Sequence, residues 1–152
     1  MSARQSSWDK IALAVLALLI LGGIAGITYE QIERARDRER FPQIGRSVDI
    51  GGRALNIFCS GEGRPSVILQ SGSAGYNWVS IQREIAKVTQ ACWYDRAGYG
   101  WSDPAPYART SQDSARDLHA LLHAAAVPPL YVLVAVTFAG LDARAYHGLY
   151  PG

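Results

Sequence analysis

Few residues in this chain of 152 could do chemistry, and their spacing narrows them further. His119 and His123 stand four apart, which puts two imidazoles on one face of a helix and so begins a metal site. A site needs a third ligand and none stands nearby, so both are expected at a solvated surface, with no metal. Neither glycine pair, Gly61/Gly63 or Gly98/Gly100, follows a strand and opens a helix with the full spacing of a phosphate-cradling loop, so no nucleotide cofactor is expected. Thr137 offers a hydroxyl between an apolar run and a helical one, and a hydroxyl attacks an acyl carbon only when a base takes its proton. His147 follows it by ten residues, about 15 Å along a helix, too far to serve. Asp142 suits the first turn of that helix, where a carboxylate meets the positive end of the dipole.

Short elements must position these groups. Residues 47–50 and 53–59 flank Gly51-Gly52 and read as a hairpin, with Leu55, Ile57 and Cys59 alternating with Asn56 and Phe58. Residues 66–70 and 91–94 are apolar runs of strand length, and residues 130–134 form the most apolar strand. Trp78, Ile81, Ile85 and Val88 recur at helical spacing. Residues 110–126 read as a helix opened by Thr110 with Asp113 three positions on, a variant of the capping box, and residues 138–150 as a helix closed by Pro151. A hairpin, then strand and helix in alternation, predicts an α/β domain with parallel strands over residues 41–152.

Residues 11–29 hold no charge and as a helix cover about 28 Å, one bilayer core. The run is apolar on every side and no other segment is long enough to surround it, so a membrane helix is expected, with the bilayer as its partner. A cleavable signal peptide competes, because Arg4 and Lys10 precede the apolar core and Gly23-Ile24-Ala25 is a small-x-small site. The apolar run continues past that site, which favours an uncleaved anchor behind a tail of residues 1–10. Residues 30–40 interleave Arg34, Arg36, Arg38 and Arg40 with Glu30, Glu33, Asp37 and Glu39, a neutral helical stalk with pairs such as Glu30 with Arg34. Two basic residues before the span and four after it place the domain in the cytoplasm by count alone. The chain's net charge of +2 is scattered without a basic face, so nucleic acid is not expected as a partner.

The nine residues Asp95-Arg96-Ala97-Gly98-Tyr99-Gly100-Trp101-Ser102-Asp103, after a strand and before a capped helix, resemble the loop after the fourth strand of α/β-hydrolase-fold enzymes, membrane-anchored esterase-like serine hydrolases among them. The resemblance runs from about Phe41 to Gly152. It implies an α/β fold in which the transmembrane helix is followed by the first half of the hydrolase sheet, a hairpin plus parallel strands with flanking helices, ending after the helix of the nucleophile elbow. The second strand should lie beside the fourth, and the fifth on the far side of the third. Asp95, Arg96, Gly98, Gly100, Ser102 and Asp103 then brace the sheet edge of the site, and the oxyanion donors would be the backbone N–H groups of Ser73 and Phe138. Tyr76, Trp78, Tyr99 and Trp101 fall on loops that the family places near its cleft, either lining an apolar pocket or packing on one another.

The family's fifth strand ends in Gly-x-Ser-x-Gly, where this chain reads Ala135-Val136-Thr137-Phe138-Ala139. A bend at unusual φ/ψ tolerates β-branching poorly, so Thr137 is expected as a strand-to-helix connector more than as a nucleophile. The family's acid and His follow in chain order beyond Gly152, so the resemblance implies hydrolase ancestry without activity in this chain. Two other readings stand: a Thr-dependent hydrolase completed by another chain, and a small membrane-bound binding protein on half the fold. The strand over residues 130–134, interior in the family, is expected as an apolar edge that a second chain covers. The same strand order brings Cys59 opposite Cys92, giving either a disulfide and a domain outside the cytoplasm, or two small buried residues.

Overall fold

The computed structural model describes residues 2–151, with side chains from Trp8 onward. The chain forms two compact units, Met1–Pro42 and Gln43–Gly152. The first is one helix, α1 (Ser2–Arg40). Within its stretch Trp8–Arg40 an 18-residue window reaches a mean hydropathy of 2.6 with 0% of it buried, long and apolar enough to cross a membrane by length and composition. Past the apolar run, Arg34 bonds Glu30 at 2.5 Å and Arg36 bonds Glu33 at 2.6 Å. Such exposed pairs on successive turns contribute a few tenths of a kcal/mol each, about 0.3–0.5.

The second unit is a five-stranded sheet in the order β1-β2-β4-β3-β5. β1 (Arg46–Asp49) and β2 (Ala54–Ser60) form the hairpin; β3 (Ser66–Gln70), β4 (Ala91–Tyr94) and β5 (Tyr131–Ala135) run parallel, with β2 antiparallel to β4. Gly51 and Gly52 turn the hairpin at φ 107° and 88°, where a Cβ is disfavoured, and the Asp49 carboxylate accepts both of their N–H groups at 2.9 and 2.8 Å. β4 sits between two neighbours and is buried at all four positions, which is why it reads as an unbroken apolar run. One face of the sheet packs Leu55, Ile57, Ile68, Cys92 and Tyr94 against Leu118, Leu121 and Leu122 of α3 (Ser111–Ala124) and Tyr146 of α4 (Ala139–Leu149). The opposite face packs Leu69 and Trp93 against Trp78.

Three elements differ from expectation. Helix α2 covers Val79–Ile85 only, preceded by a 3₁₀ turn over Gly75–Trp78. Its buried position is Gln82, 1% exposed, whose amide donates to the carbonyls of Phe58 and Ala91 at 3.1 and 2.8 Å, while Ile81 and Val88 face solvent. A polar residue holding two strand carbonyls therefore occupies the face that apolar spacing assigned to Ile81 and Val88. α3 takes Thr110 as its N-cap with the reciprocal Asp113 bonds of a capping box, and it ends before Ala126, where φ is 56°. β5 begins at Tyr131 because Leu130 has φ 69°, outside the strand region. Among the described residues β5 pairs with β3 alone, and the alternate positions Val132 and Val134 on one of its faces are exposed.

Cys59 and Cys92 are direct partners across β2 and β4, with Cα atoms 4.1 Å apart, and are joined as a disulfide. The bridge spans 33 residues, and a crosslink of that span stabilises by about 3–4 kcal/mol through the unfolded chain. Replacing both cysteines with alanine should lower unfolding free energy by about 3 kcal/mol in denaturant titration. Intact mass without reductant should show no free thiol; two free thiols in the purified full chain would contradict the bridge.

Candidate functional site

The chain leaves β5 through a bend that its sequence does not advertise. Val136 donates its N–H to the Gln70 carbonyl at 3.1 Å, keeping the strand's end beside β3, and Thr137 then takes φ 58°. Phe138 is already helical at φ −59°, and Gly140 and Leu141 donate back to the carbonyls of Thr137 and Phe138 at 3.1 and 3.0 Å. A left-handed backbone at a non-glycine residue costs about 1–2 kcal/mol, and a β-branched one is a rare occupant. Among the described residues no side chain or carbonyl hydrogen-bonds the Thr137 hydroxyl.

The loop after β3 presses against this bend. A Cβ built on Gly72 would stand 2.6 Å from Thr137 Oγ1 but at an ordinary 3.8 Å from the Phe138 nitrogen, so a larger residue there would press on the threonine hydroxyl. Ser71 closes the loop by donating its hydroxyl to the Ala74 carbonyl at 2.6 Å. The N–H groups of Ser73 and Phe138 have no backbone acceptor among the described residues. They belong to adjacent stretches of chain beside the Thr137 hydroxyl.

Asp95, 3% exposed, ties the loops together. Its carboxylate accepts from Gly75 N–H at 2.7 Å, Asn56 Nδ2 at 2.9 Å and Trp101 N–H at 3.1 Å, while its carbonyl accepts the Ser102 hydroxyl at 2.6 Å. Ser102 Oγ accepts Asn56 N–H at 2.9 Å, and Asp103 caps β2 through its carboxylate on Ala54 N–H at 2.7 Å. Gly98 and Gly100 turn at φ 77° and 50°, and a Cβ on Gly100 would lie 2.3 Å from Asp95 Oδ2. Within the nine-residue loop singled out in the sequence, Asp95, Trp101, Ser102 and Asp103 thus hydrogen-bond to one another or to β2 and the loop after β3.

Arg96 forks across three elements, donating to the Gly72 carbonyl at 3.0 Å and Ser114 Oγ at 2.9 Å, and lying 3.0 Å from the Asp142 carboxylate. Asp142 is 2% exposed, more than a first-turn acid on a helix surface requires. Burial pushes its carboxyl above the ordinary carboxylate range, with Arg96 and Ser111 pulling the other way. Asp142 therefore favours folding most fully below its unfolded-state value of about 4, and that contribution is lost as pH rises through the elevated folded value.

The histidines and aromatics go elsewhere. His119 stacks on Tyr150 with centroids 3.8 Å apart, its Nδ1 3.4 Å from the Tyr146 hydroxyl, so it clasps α3 to the end of α4. His123 is exposed, as is His147. No group of three metal-ligating side chains occurs among the described residues. Trp78 is buried on Leu69 and Trp93, Tyr76 is exposed, and Tyr99 lies under Arg109 at 5.0 Å, so these three loop aromatics neither line one pocket nor form one cluster. Sequence reasoning missed Asn56, Gln82 and the Arg96–Asp142 pair; the signal available for the last was a carboxylate amid the apolar residues of a helix.

This geometry, a mixed sheet whose fifth strand enters a helix through a positive-φ residue beside a glycine loop, is that of the α/β-hydrolase fold. Solved structures agree. Est816, described as an N-acyl homoserine lactone degrading enzyme, superposes with a TM-score of 0.63 at 22% identity over 70% of this chain and 41% of its own. A thermophilic esterase from Thermogutta terrifontis gives 0.61 at 20% identity over 70% and 41%. In sequence, the uncharacterized protein YbdG of Bacillus subtilis (strain 168) is 22% identical over 145 residues, 93% of this chain. The chain spans 45% of that relative's length, under half. No protein-family model matches.

Relief of the bend is measurable. Thr137→Gly should raise unfolding free energy by about 1 kcal/mol, because glycine adopts positive φ without a Cβ penalty. Gly72→Ala should destabilise the native threonine background more than the Thr137→Gly background by about 1 kcal/mol, the coupling expected when one Cβ meets one hydroxyl. Additive effects within about 0.3 kcal/mol would show that the two residues do not touch.

Proposed function

We propose that this chain is a membrane-anchored α/β-hydrolase domain of esterase-like ancestry in which the nucleophile bend persists as architecture and, as it stands, does not hydrolyse esters. The observation that carries the reading is Thr137. It occupies the apex of the bend at φ 58°, with its hydroxyl against Gly72 and, among the described residues, no base upon it. Acyl transfer needs the hydroxyl proton removed in the transition state, and a threonine hydroxyl of ordinary basicity does not lose it unaided. His119 is engaged with Tyr146 and Tyr150, and His147 lies three turns along α4.

Residues 11–29 of α1 supply the proposed single-pass anchor, with the bilayer as partner. The Cys59–Cys92 bridge favours an oxidising compartment for the domain, outside the cytoplasm, against the arginine count of the neutral stalk. A second reading, a Thr-dependent hydrolase completed by another polypeptide segment, draws support from one observation. The left-handed strain at Thr137 is kept where a relaxed connector would cost nothing.

The full chain in detergent should neither turn over activated esters above buffer nor be labelled by a fluorophosphonate probe. Restoring the elbow by Thr137→Ser with Ala135→Gly and Ala139→Gly should leave both results unchanged, because no base is gained. Labelling that disappears in Thr137→Ala would overturn the silent-site reading and favour the second.

A further inference from the structure

An aromatic residue stands near each end of the apolar run of α1. Trp8 and Tyr29 are 65% and 67% exposed, although each is a large ring with an apolar body that a water-soluble fold tends to cover. Tyr29 follows Trp8 by twenty-one residues within one unbroken helix, which sets the two rings about 31 Å apart along the axis and about 60° apart around it. The hydrocarbon core of a bilayer is about 30 Å thick. The charges between the two rings, Asp9 and Lys10, lie within a turn of Trp8. From there to Tyr29 the one polar side chain is Thr28, whose hydroxyl donates to the Ile24 carbonyl at 2.8 Å, so no side chain in the interval calls for water. Beyond Tyr29 the charged stretch begins at once with Glu30, paired with Arg34 at 2.5 Å.

We propose that Trp8 and Tyr29 are a matched pair of interfacial anchors, one seated among the lipid headgroups of each leaflet, which fix the depth of the helix from both ends. This rests on the reading of α1 as a membrane anchor and adds the lipid region that each end meets. An indole or phenol ring has an apolar body and an N–H or O–H tip. The boundary between acyl chains and headgroups offers hydrocarbon to the first and carbonyl and phosphate oxygens to the second. Deeper in the bilayer the tip loses its acceptor, and farther out the ring loses its apolar contact. Lys10, two residues inside Trp8, reaches back to the same interface along its four-carbon stem. The pair serves either orientation of the chain, because each leaflet presents the same boundary.

The test is fluorescence quenching of the full chain in phosphatidylcholine vesicles whose acyl chains are brominated either near the glycerol end or near the bilayer centre. The difference between the native chain and Trp8→Phe isolates Trp8 from Trp78, Trp93 and Trp101, and Tyr29→Trp in the Trp8→Phe background reads the other end. At both positions the shallow bromines should remove more fluorescence than the deep ones. Leu19→Trp in the same background, midway along the run, should show the reverse order. Resistance to alkaline carbonate extraction is measured on the same chains. Extraction by carbonate would overturn the membrane-anchor reading and the paired anchors with it. Chains that stay in the membrane, with the deep bromines stronger at either ring or with either ring unquenched, would overturn the paired anchors and leave the membrane helix standing.

Discussion

The buried carboxylate of Asp95 is the constraint on which the rest of the domain depends. An ionised group at 3% exposure is tolerable only when donors surround it, and here they come from three places: Asn56 on β2, Gly75 after the β3 loop, and Trp101 in the loop after β4. Those contacts fix where the β3 loop ends, and hence where Gly72 meets Thr137. They also require Gly100, since no Cβ fits against the carboxylate. The bend, the glycine loop and the Arg96 fork are arranged around a charge that does no chemistry itself.

This division between framework and chemistry explains how the bend outlasts its sequence pattern. Residues 135–139 read Ala-Val-Thr-Phe-Ala and not Gly-x-Ser-x-Gly, and Thr137 turns left-handed because Val136 is pinned to Gln70 and α4 to Arg96 on either side. Strain of about 1–2 kcal/mol at one residue is small against what a disulfide, a two-sided core and a bonded carboxylate contribute. Architecture imposed from both ends of a turn can hold a residue whose own preference lies elsewhere.

Much of the sheet was legible from composition because its logic is local. β3 and β4 read as short apolar runs, the hairpin announced itself through Gly51-Gly52, and α3 through Thr110 and Asp113. The sheet order and the facing of Cys59 and Cys92 came with the resemblance carried by Asp95 to Asp103, and the register has the two cysteines directly opposite. What was not legible depends on partners far away in the chain. Asn56 meets Asp95 across 39 residues, and Gln82 is buried because it holds the carbonyls of Phe58 and Ala91, so neither polar residue signals burial by its neighbours in sequence. Thr137 is the sharpest case: β-branching argues against positive φ, and only the tertiary frame overrides it.

The most direct measurement of this account is the stability and amide exchange of Asp95→Asn in the full chain. All three carboxylate partners are donors, so an amide nitrogen in that position faces N–H groups and leaves at least one of them unpaired. The account predicts a loss of about 2–3 kcal/mol, with exchange accelerated first at Gly75 and Trp101 while the bonds between β1 and β2 stay protected. A substitution tolerated within about 0.5 kcal/mol, with exchange at Gly75 and Trp101 unchanged, would contradict it and move the organising role away from Asp95.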